Sequence, residues 1–301
     1  MYSRVLRNFL SVAEAGNITT AADNLSVSQP ALTKSIQKLE AEVGSKLFTR
    51  VSKGVQLTKA GEILLHHARI MDNEYRHAQE RLGELSGAKR ASLRIGAGPI
   101  WLVKILPPVV AQFQKSHPDV RVSLSGGVID TLVPELISGD LDLICMSLDF
   151  PDRAELTKIP LFNIDHVVVV NEAHPLASKR GVTAEDLSRQ QWLTLKSDQV
   201  GTHRISAFFA TNGLKPPKIS LETTSIYNLL ETLCNGSYVA HVPEQMLELA
   251  QGKGLVKVDL SGTLWQTSAG IAMRQSMQVA PASQTEFIEQ VVAAVEPYAT
   301  V

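Results

Sequence analysis

The 301-residue sequence predicts a multi-domain α/β chain: an N-terminal winged helix-turn-helix, a long linker helix, and a C-terminal region of two small α/β lobes. Three observations point there. Short amphipathic segments with capping residues fill the first 45 positions and lead into a hairpin pattern. Apolar residues then recur at heptad spacing without a break. After Ser92, short apolar runs alternate with helical patterns in two successive series, as in sheets covered by helices.

The first helix is expected over Arg4 to Ala15, with Val5, Leu6, Phe9, Leu10 and Ala13 on one face and Gly16 at its end. Asn17 suits an N-cap for a second helix that buries Ala21, Ala22 and Leu25. Ser28 can cap a third, with Pro30 in the first turn, where a missing N–H costs little, and Gly44 just past the end. Leu32, Ile36, Leu39 and Val43 give that helix its apolar stripe. The turn Leu25-Ser26-Val27-Ser28 joins two helices at a sharp angle. In KLFTRVSKGVQLT (46–58), Ser52-Lys53-Gly54 forms a turn between two extended arms, the place of a wing.

Thr58 should cap a helix running to about Ser86. Leu64, Ala68, Met71, Tyr75, Ala78, Leu82 and Leu85 alternate spacings of four and three, which argues a coiled-coil seam and a dimer. Beyond it, strands are expected near 92–97, 119–125 and 141–147, with helices near 101–116 and 129–138. A second series has strands near 165–171, 192–196, 218–223 and 237–242, with helices near 202–212, 225–235 and 243–250. Parallel sheets are expected, and ligands of open α/β sheets sit at the carboxyl ends of the strands.

Composition excludes several classes. Residues 1–90 hold 13 Lys and Arg against 9 Asp and Glu, and the remainder holds 16 against 21. A mildly basic front end on an acidic body fits contact of that end with a polyanion. No apolar run reaches the roughly 18 residues of a membrane helix, and MYSRVLRNFL has no long apolar stretch, so no signal peptide or membrane association is expected. Cys145 and Cys234 read as two small buried hydrophobes in a reducing cytoplasm; a redox switch would need them within about 7 Å in the fold. His66 and His67 point about 100° apart on a helix, a poor metal pair. Gly96-Ala97-Gly98 begins like a dinucleotide fingerprint, but Trp101 stands at the third glycine. There is no Gly-x-Ser-x-Gly elbow and no Walker loop, so neither an enzyme nor a cofactor is expected.

The string FLSVAEAGNITTAADNLSVSQPALTKSIQKLEAEVGSKLFTRVSKGVQLTKAGE, Phe9 to Glu62, resembles the LysR-type transcriptional regulators. It carries Glu-x-Gly, Thr-x-Ala-Ala, Ser-Gln-Pro-Ala-Leu, Ile-x-x-Leu-Glu, Leu-Phe-x-Arg and Leu-Thr-x-Ala-Gly at the family's spacing. Asn17-Ile18 stands where the family usually has Ser-Phe. HPDVRVSLSGG, ELISGDLDLIC and HPLA extend the resemblance through the C-terminal part. It implies a periplasmic-binding-protein-like sensor: lobe I over 92–162 and 267–301, lobe II over 163–266, behind a DNA-binding domain over 1–58 and a dimerisation helix over 59–88. It also implies double-stranded promoter DNA as partner, a small-molecule effector between the lobes, a homodimer through the linker helix, and a homotetramer. The competing reading is a small-molecule binding protein or enzyme with an accessory helical N-terminal domain.

A recognition helix offers its N-terminal residues to base edges while flanking groups hold phosphates. Gln29 suits adenine, Thr33 a thymine methyl, and Lys34 guanine or a phosphate. Ser26 and Ser28, beside Pro30, lie where hydroxyls and helix N–H groups meet a phosphate. Gln37 completes the polar face, and Lys38, Arg50 and Lys53 are phosphate candidates, Arg50 equally suited to pairing with a carboxylate near the linker helix. For the effector, Gly98-Pro99-Ile100-Trp101 follows a strand and opens a helix whose N–H groups could receive an anion. The apolar Ile100 and Trp101 speak against a simple carboxylate and suit a larger or partly aromatic molecule, so the effector is expected to be an organic acid or an aromatic compound. Gly127, Ser147, Gly201, Thr202, His203, Thr224, Ser225 and His241 complete the candidates.

Overall fold

The computed structural model describes residues 2–85, 91–250, 252–275 and 282–298. Contacts divide the chain into two units at Ala91/Ser92, with Ile137–Asp140 grouped with the first. The first unit runs α1 (Tyr2–Ala15), α2 (Ile18–Asn24), α3 (Gln29–Val43), β1 (Phe48–Val51), β2 (Gly54–Leu57) and α4 (Lys59–Leu85). Caps set these bounds. Asn17 Oδ1 accepts from the Thr19 N–H at 2.8 Å, Ser28 Oγ accepts from the Ala31 N–H at 3.4 Å, and Gly44 ends α3 at φ 68°. Ser26 takes φ 53°, a left-handed turn that redirects the chain between α2 and α3. Phe9, Val12, Ala21, Leu32, Ile36 and Leu47 form the buried centre.

The wing is held to this core by polar contacts. Glu40, 9% exposed, accepts from the Leu47 N–H at 2.9 Å and from Lys46 Nζ at 2.7 Å. Burial alone would raise its carboxyl, but Lys46 and the N–H groups of Leu47 and Phe48 hold it below the usual range. The Val55 N–H donates to Gly16 O at 2.8 Å, so the wing also rests on the turn after α1. In α4, Thr58 Oγ1 accepts from the Gly61 N–H at 3.0 Å. A Cβ on Gly61 would lie 2.2 Å from Leu47 O, which explains a glycine inside a helix.

The expected seam of α4 divides. Leu64, Ala68 and Met71 pack against the first unit's own core, so the first half of the expected seam is used within the chain. Tyr75 and Leu82 are exposed at 50% and 66%, and Ala78 between them is exposed too. The expected helix end at Ser86 and the linker's last residues, 86–88, lie outside the described residues, as do 276–281 and 299–301 of the expected first lobe.

The second unit runs β3 (Ser92–Ala97), a π-helical turn (Trp101–Ile105), α5 (Leu106–Ser116), β4 (Arg121–Gly126), α6 (Ile129–Ser138), β5 (Leu143–Ser147) and β6 (Leu156–Asn171). It continues with α7 (Ala184–Ser188), β7 (Trp192–Leu195), α8 (Gln199–Thr211), β8 (Ile219–Thr223), α9 (Ile226–Asn235) and β9 (Ala240–Pro243). A 3-10 turn (Glu244–Ala250), β10 (Leu255–Lys257), β11 (Trp265–Arg274) and α10 (Ala282–Val295) follow. One sheet has the order β10-β6-β11-β5-β3-β4, with β9 also on β6, and β7-β8 form a separate pair.

The expectation of parallel sheets holds only in part. β3 is parallel to β4 and β5, but β6 and β11 are antiparallel to each other from Leu156↔Arg274 to His166↔Trp265. These two long strands join the lobes. One lobe packs Phe113 edge-on to Phe287 between α5 and α10; the other closes around Trp192, Phe209 and Val168.

Candidate DNA-reading surface and ligand cavity

In the first unit, Ser26, Ser28, Gln29, Pro30, Lys34, Gln37 and Lys38 are exposed at the start and along the outer face of α3, and Thr33 is half-buried between them. Arg50 and Lys53 are exposed on the wing. Lys38 approaches Glu42 at 3.8 Å, an exposed pair that competes weakly with a phosphate. Arg50 makes no ion pair among the described residues, so its pairing with a carboxylate is not realised. The opposite face of α3 is fastened by Leu32, Ile36 and Leu39, and by Asn8 Nδ2 donating to Ser35 Oγ at 2.9 Å. A helix fixed on its inner side and presenting amide, hydroxyl and ammonium groups outward has the chemistry to read a groove.

In the second unit a cavity of about 100 Å³ opens at the carboxyl ends of β3, β4, β5 and β7. Gly98, Pro99, Ile100, Trp101, Gly127, Ser147, Gly201 and His241 line it; Thr202, His203, Thr224 and Ser225 do not. The last four have other places. Thr202 Oγ1 donates to Asp198 O at 2.8 Å, Ser225 Oγ caps α9 by accepting from the Asn228 N–H at 3.3 Å, and His203 and Thr224 face solvent. Trp101 is fully buried beside Phe162, with ring centroids 5.4 Å apart, so it shapes the wall from within the core. The Gly98 N–H donates to Cys145 O at 2.9 Å and Pro99 has none, so that turn has at most two N–H groups left for an anion.

Sequence reasoning missed the polar heart of the cavity: His166, Trp265, Asp149, Asp198 and Arg204. Sheet register explains how distant residues meet. His241 pairs with Val168, so His166, two residues earlier on β6, lies diagonally on the same face, and Trp265 of β11 sits directly opposite His166. The His166 and His241 Nδ1 atoms are 3.4 Å apart, and Trp265 stacks on His166 at 4.9 Å between centroids. Burial pushes the His166 imidazole down to about 3, with His241 and the Arg204 charge adding to it. Burial lowers His241 as well, against the opposing pull of Asp198. Both rings are therefore neutral near pH 7.

Charges around the cavity are matched internally. Arg204 of α8 grips Asp149 beyond β5, Nε to Oδ2 at 2.8 Å and Nη2 to Oδ1 at 2.7 Å. Asp198 accepts from the Gly201 N–H at 2.9 Å, and Asp130 of α6 accepts from the Gln199 N–H at 2.8 Å. The Asp149–Arg204 and Asp130–Gln199 contacts both tie α8 to the half of the sheet built on β3 to β5. Cys145 is fully buried, its thiol pushed up by burial, and both cysteines are free.

A winged helix-turn-helix followed by a two-lobed α/β ligand-binding domain defines a one-chain, ligand-responsive regulator of transcription. The LysR substrate binding domain model matches residues 86–296, and the model for the bacterial regulatory helix-turn-helix protein of the lysR family matches residues 3–62. The chain belongs to the LysR family of transcriptional regulators. It is 28% identical over 282 residues to the RuBisCO operon transcriptional regulator of Allochromatium vinosum, spanning 93% of this chain and 92% of that one. To the HTH-type transcriptional regulator GalR of Pseudomonas putida it is 28% identical over 284 residues, 93% of this chain and 71% of that protein. The crystal structure of CbnR, a LysR family transcriptional regulator, shares the fold with a TM-score of 0.66 at 24% identity, over 98% of this chain and 100% of that one. Among the described residues no helix is long and apolar enough to cross a membrane.

Proposed function

We propose that the chain is a cytoplasmic, non-enzymatic regulator that reads promoter DNA as a dimer through α3 and the wing. Gln29, Thr33 and Lys34 would meet base edges; Ser26, Ser28, Lys38, Arg50 and Lys53 would hold phosphates, with Pro30 and Gln37 filling the contact face. The observation that carries this reading is the exposure of these residues together on a helix whose opposite face is buried. A full-length CbnR structure in complex with its target DNA, similar in fold to this chain, supports it. The exposed Tyr75, Ala78 and Leu82 of α4 would pair two copies, and pairs of dimers would form a tetramer. The DNA-binding domain would span 1–58 and the linker 59–88, with lobe I over 92–162 and 267–301 and lobe II over 163–266. An effector in the cavity would change lobe closure and thereby the spacing of the DNA-binding heads, by differential affinity for two geometries.

A gel-shift titration on the DNA upstream of the chain's own coding sequence tests the reading. Lys34→Ala and Gln29→Ala should each weaken specific binding by about 1–3 kcal/mol. Specific binding left intact in both variants would remove α3 from the interface.

A further inference from the structure

We propose that Asp149 and Arg204 form a latch on the rim of the cavity, and that Lys158 positions it. The latch holds the two lobes together with no ligand needed to bridge them. Its role in gating rests on the reading of the cavity as an effector site, since a ligand must then pass a rim that the latch closes. β6 and β11 run through both lobes and supply one wall of the cavity through Ile164, His166, Trp265 and Thr267. Two strands crossing side by side can flex as a hinge, so contacts made at the rim decide how far the lobes part. There Arg204 of α8 grips Asp149 through two nitrogens, and the Gln199 N–H at the start of the same helix donates to Asp130 of α6. Arg204 and Asp149 both line the cavity, yet their side chains stay 44% and 26% exposed, so the pair stands between cavity and solvent.

A latch needs firm anchors, and each lobe has one. Lys158 Nζ donates to Leu148 O at 3.3 Å, to Phe150 O, and to Asp152 Oδ1 at 2.8 Å, and it lies 4.1 Å from the Phe150 ring centroid. One ammonium thus gathers the carbonyls on both sides of Asp149 and fixes the loop that carries it. On the other lobe, Ile205 and Phe209 bury α8 in the core around Trp192, which sets where Arg204 emerges. Pairing through two parallel hydrogen bonds demands a defined orientation, and anchored partners lose little freedom in meeting it. Because the pair is partly exposed, salt screens it and its strength is modest. A modest tie biases the cleft toward closure without locking it, which leaves a balance that a ligand can shift.

Acrylamide quenching of tryptophan emission reads the opening directly. Trp101 and Trp192 are fully buried, whereas Trp265, the third tryptophan, is partly exposed and lines the cavity. Trp265→Phe supplies the baseline, and every measurement uses the full-length protein. Asp149→Asn and Arg204→Gln should each raise the Trp265 quenching constant at least about twofold. Sodium chloride raised from about 0.05 M to about 1 M should do the same to the parent protein, and Arg204→Gln should abolish that salt response. Lys158→Met leaves both partners of the latch in place, yet should raise quenching and weaken the salt response. Quenching that is unchanged in both latch variants and flat with salt would overturn the latch. It would leave the effector-site reading standing, because no effector enters the measurement. Parent-like quenching and salt response in Lys158→Met would overturn the positioning role. The salt titration of the unaltered protein decides on the latch even if the variants fail to fold.

Discussion

Glu40 shows how one residue couples reading to support. Its position on α3 places a carboxylate under the wing, where it accepts from Leu47, Phe48 and Lys46. Glu40→Ala leaves buried N–H groups unpaired and should cost the first unit about 1–3 kcal/mol, measured by denaturant unfolding of the full chain. Because the Glu40 carboxyl is held down in the folded state, its contribution is present above the ordinary glutamate range and is lost as pH falls through the folded value. Gly61 makes a second prediction. A methyl group 2.2 Å from Leu47 O must push the wing off α4, so Gly61→Ala should destabilise by about 1–3 kcal/mol, read by the same unfolding experiment. In the second unit His166 acts in the acid range. Its pKa falls from 6.5 to about 3 on folding, so the unfolded chain binds the extra proton between those values. Stability should therefore drop as pH is lowered from 6.5 toward 3, and His166→Phe should flatten that slope in thermal melts.

At the scale of elements, α1 to α3 were legible because each boundary is written locally: Asn17, Ser28, Pro30 and Gly44 are caps or punctuators whose chemistry acts within four residues. The strands β6 and β11 were less so. The first half of β6 and all of β11 went unread, since Ala269-Gly270-Ile271-Ala272 has no alternation and its pairing partner lies more than 100 residues away. Trp265 fell in that gap, and His166, although inside an expected strand, becomes a neighbour of His241 and Trp265 only through strand register. Thr202, His203, Thr224 and Ser225 were chosen for lying just past a strand end or at a helix start; the local turns send their side chains to caps or solvent instead. The linker helix carries its own test. With Leu64, Ala68 and Met71 used by the first unit, Tyr75 and Leu82 remain for a partner, and Tyr75→Glu with Leu82→Glu should convert dimers to monomers in analytical ultracentrifugation. An unchanged mass would place the interface elsewhere.

In the molecule as a whole, the DNA-binding domain shares one chain with a cavity whose lobes are tied by Arg204–Asp149 and Asp130–Gln199. Removing the first tie should loosen the second, so Arg204→Ala should speed hydrogen exchange at the Gln199 amide. The head itself rests on α3 reading base edges, and base-by-base discrimination tests that most directly. A titration of Gln29→Ala against operators with each base pair replaced in turn should show discrimination lost at one position and retained at the others. A variant that keeps the whole discrimination profile of the parent protein would contradict the account.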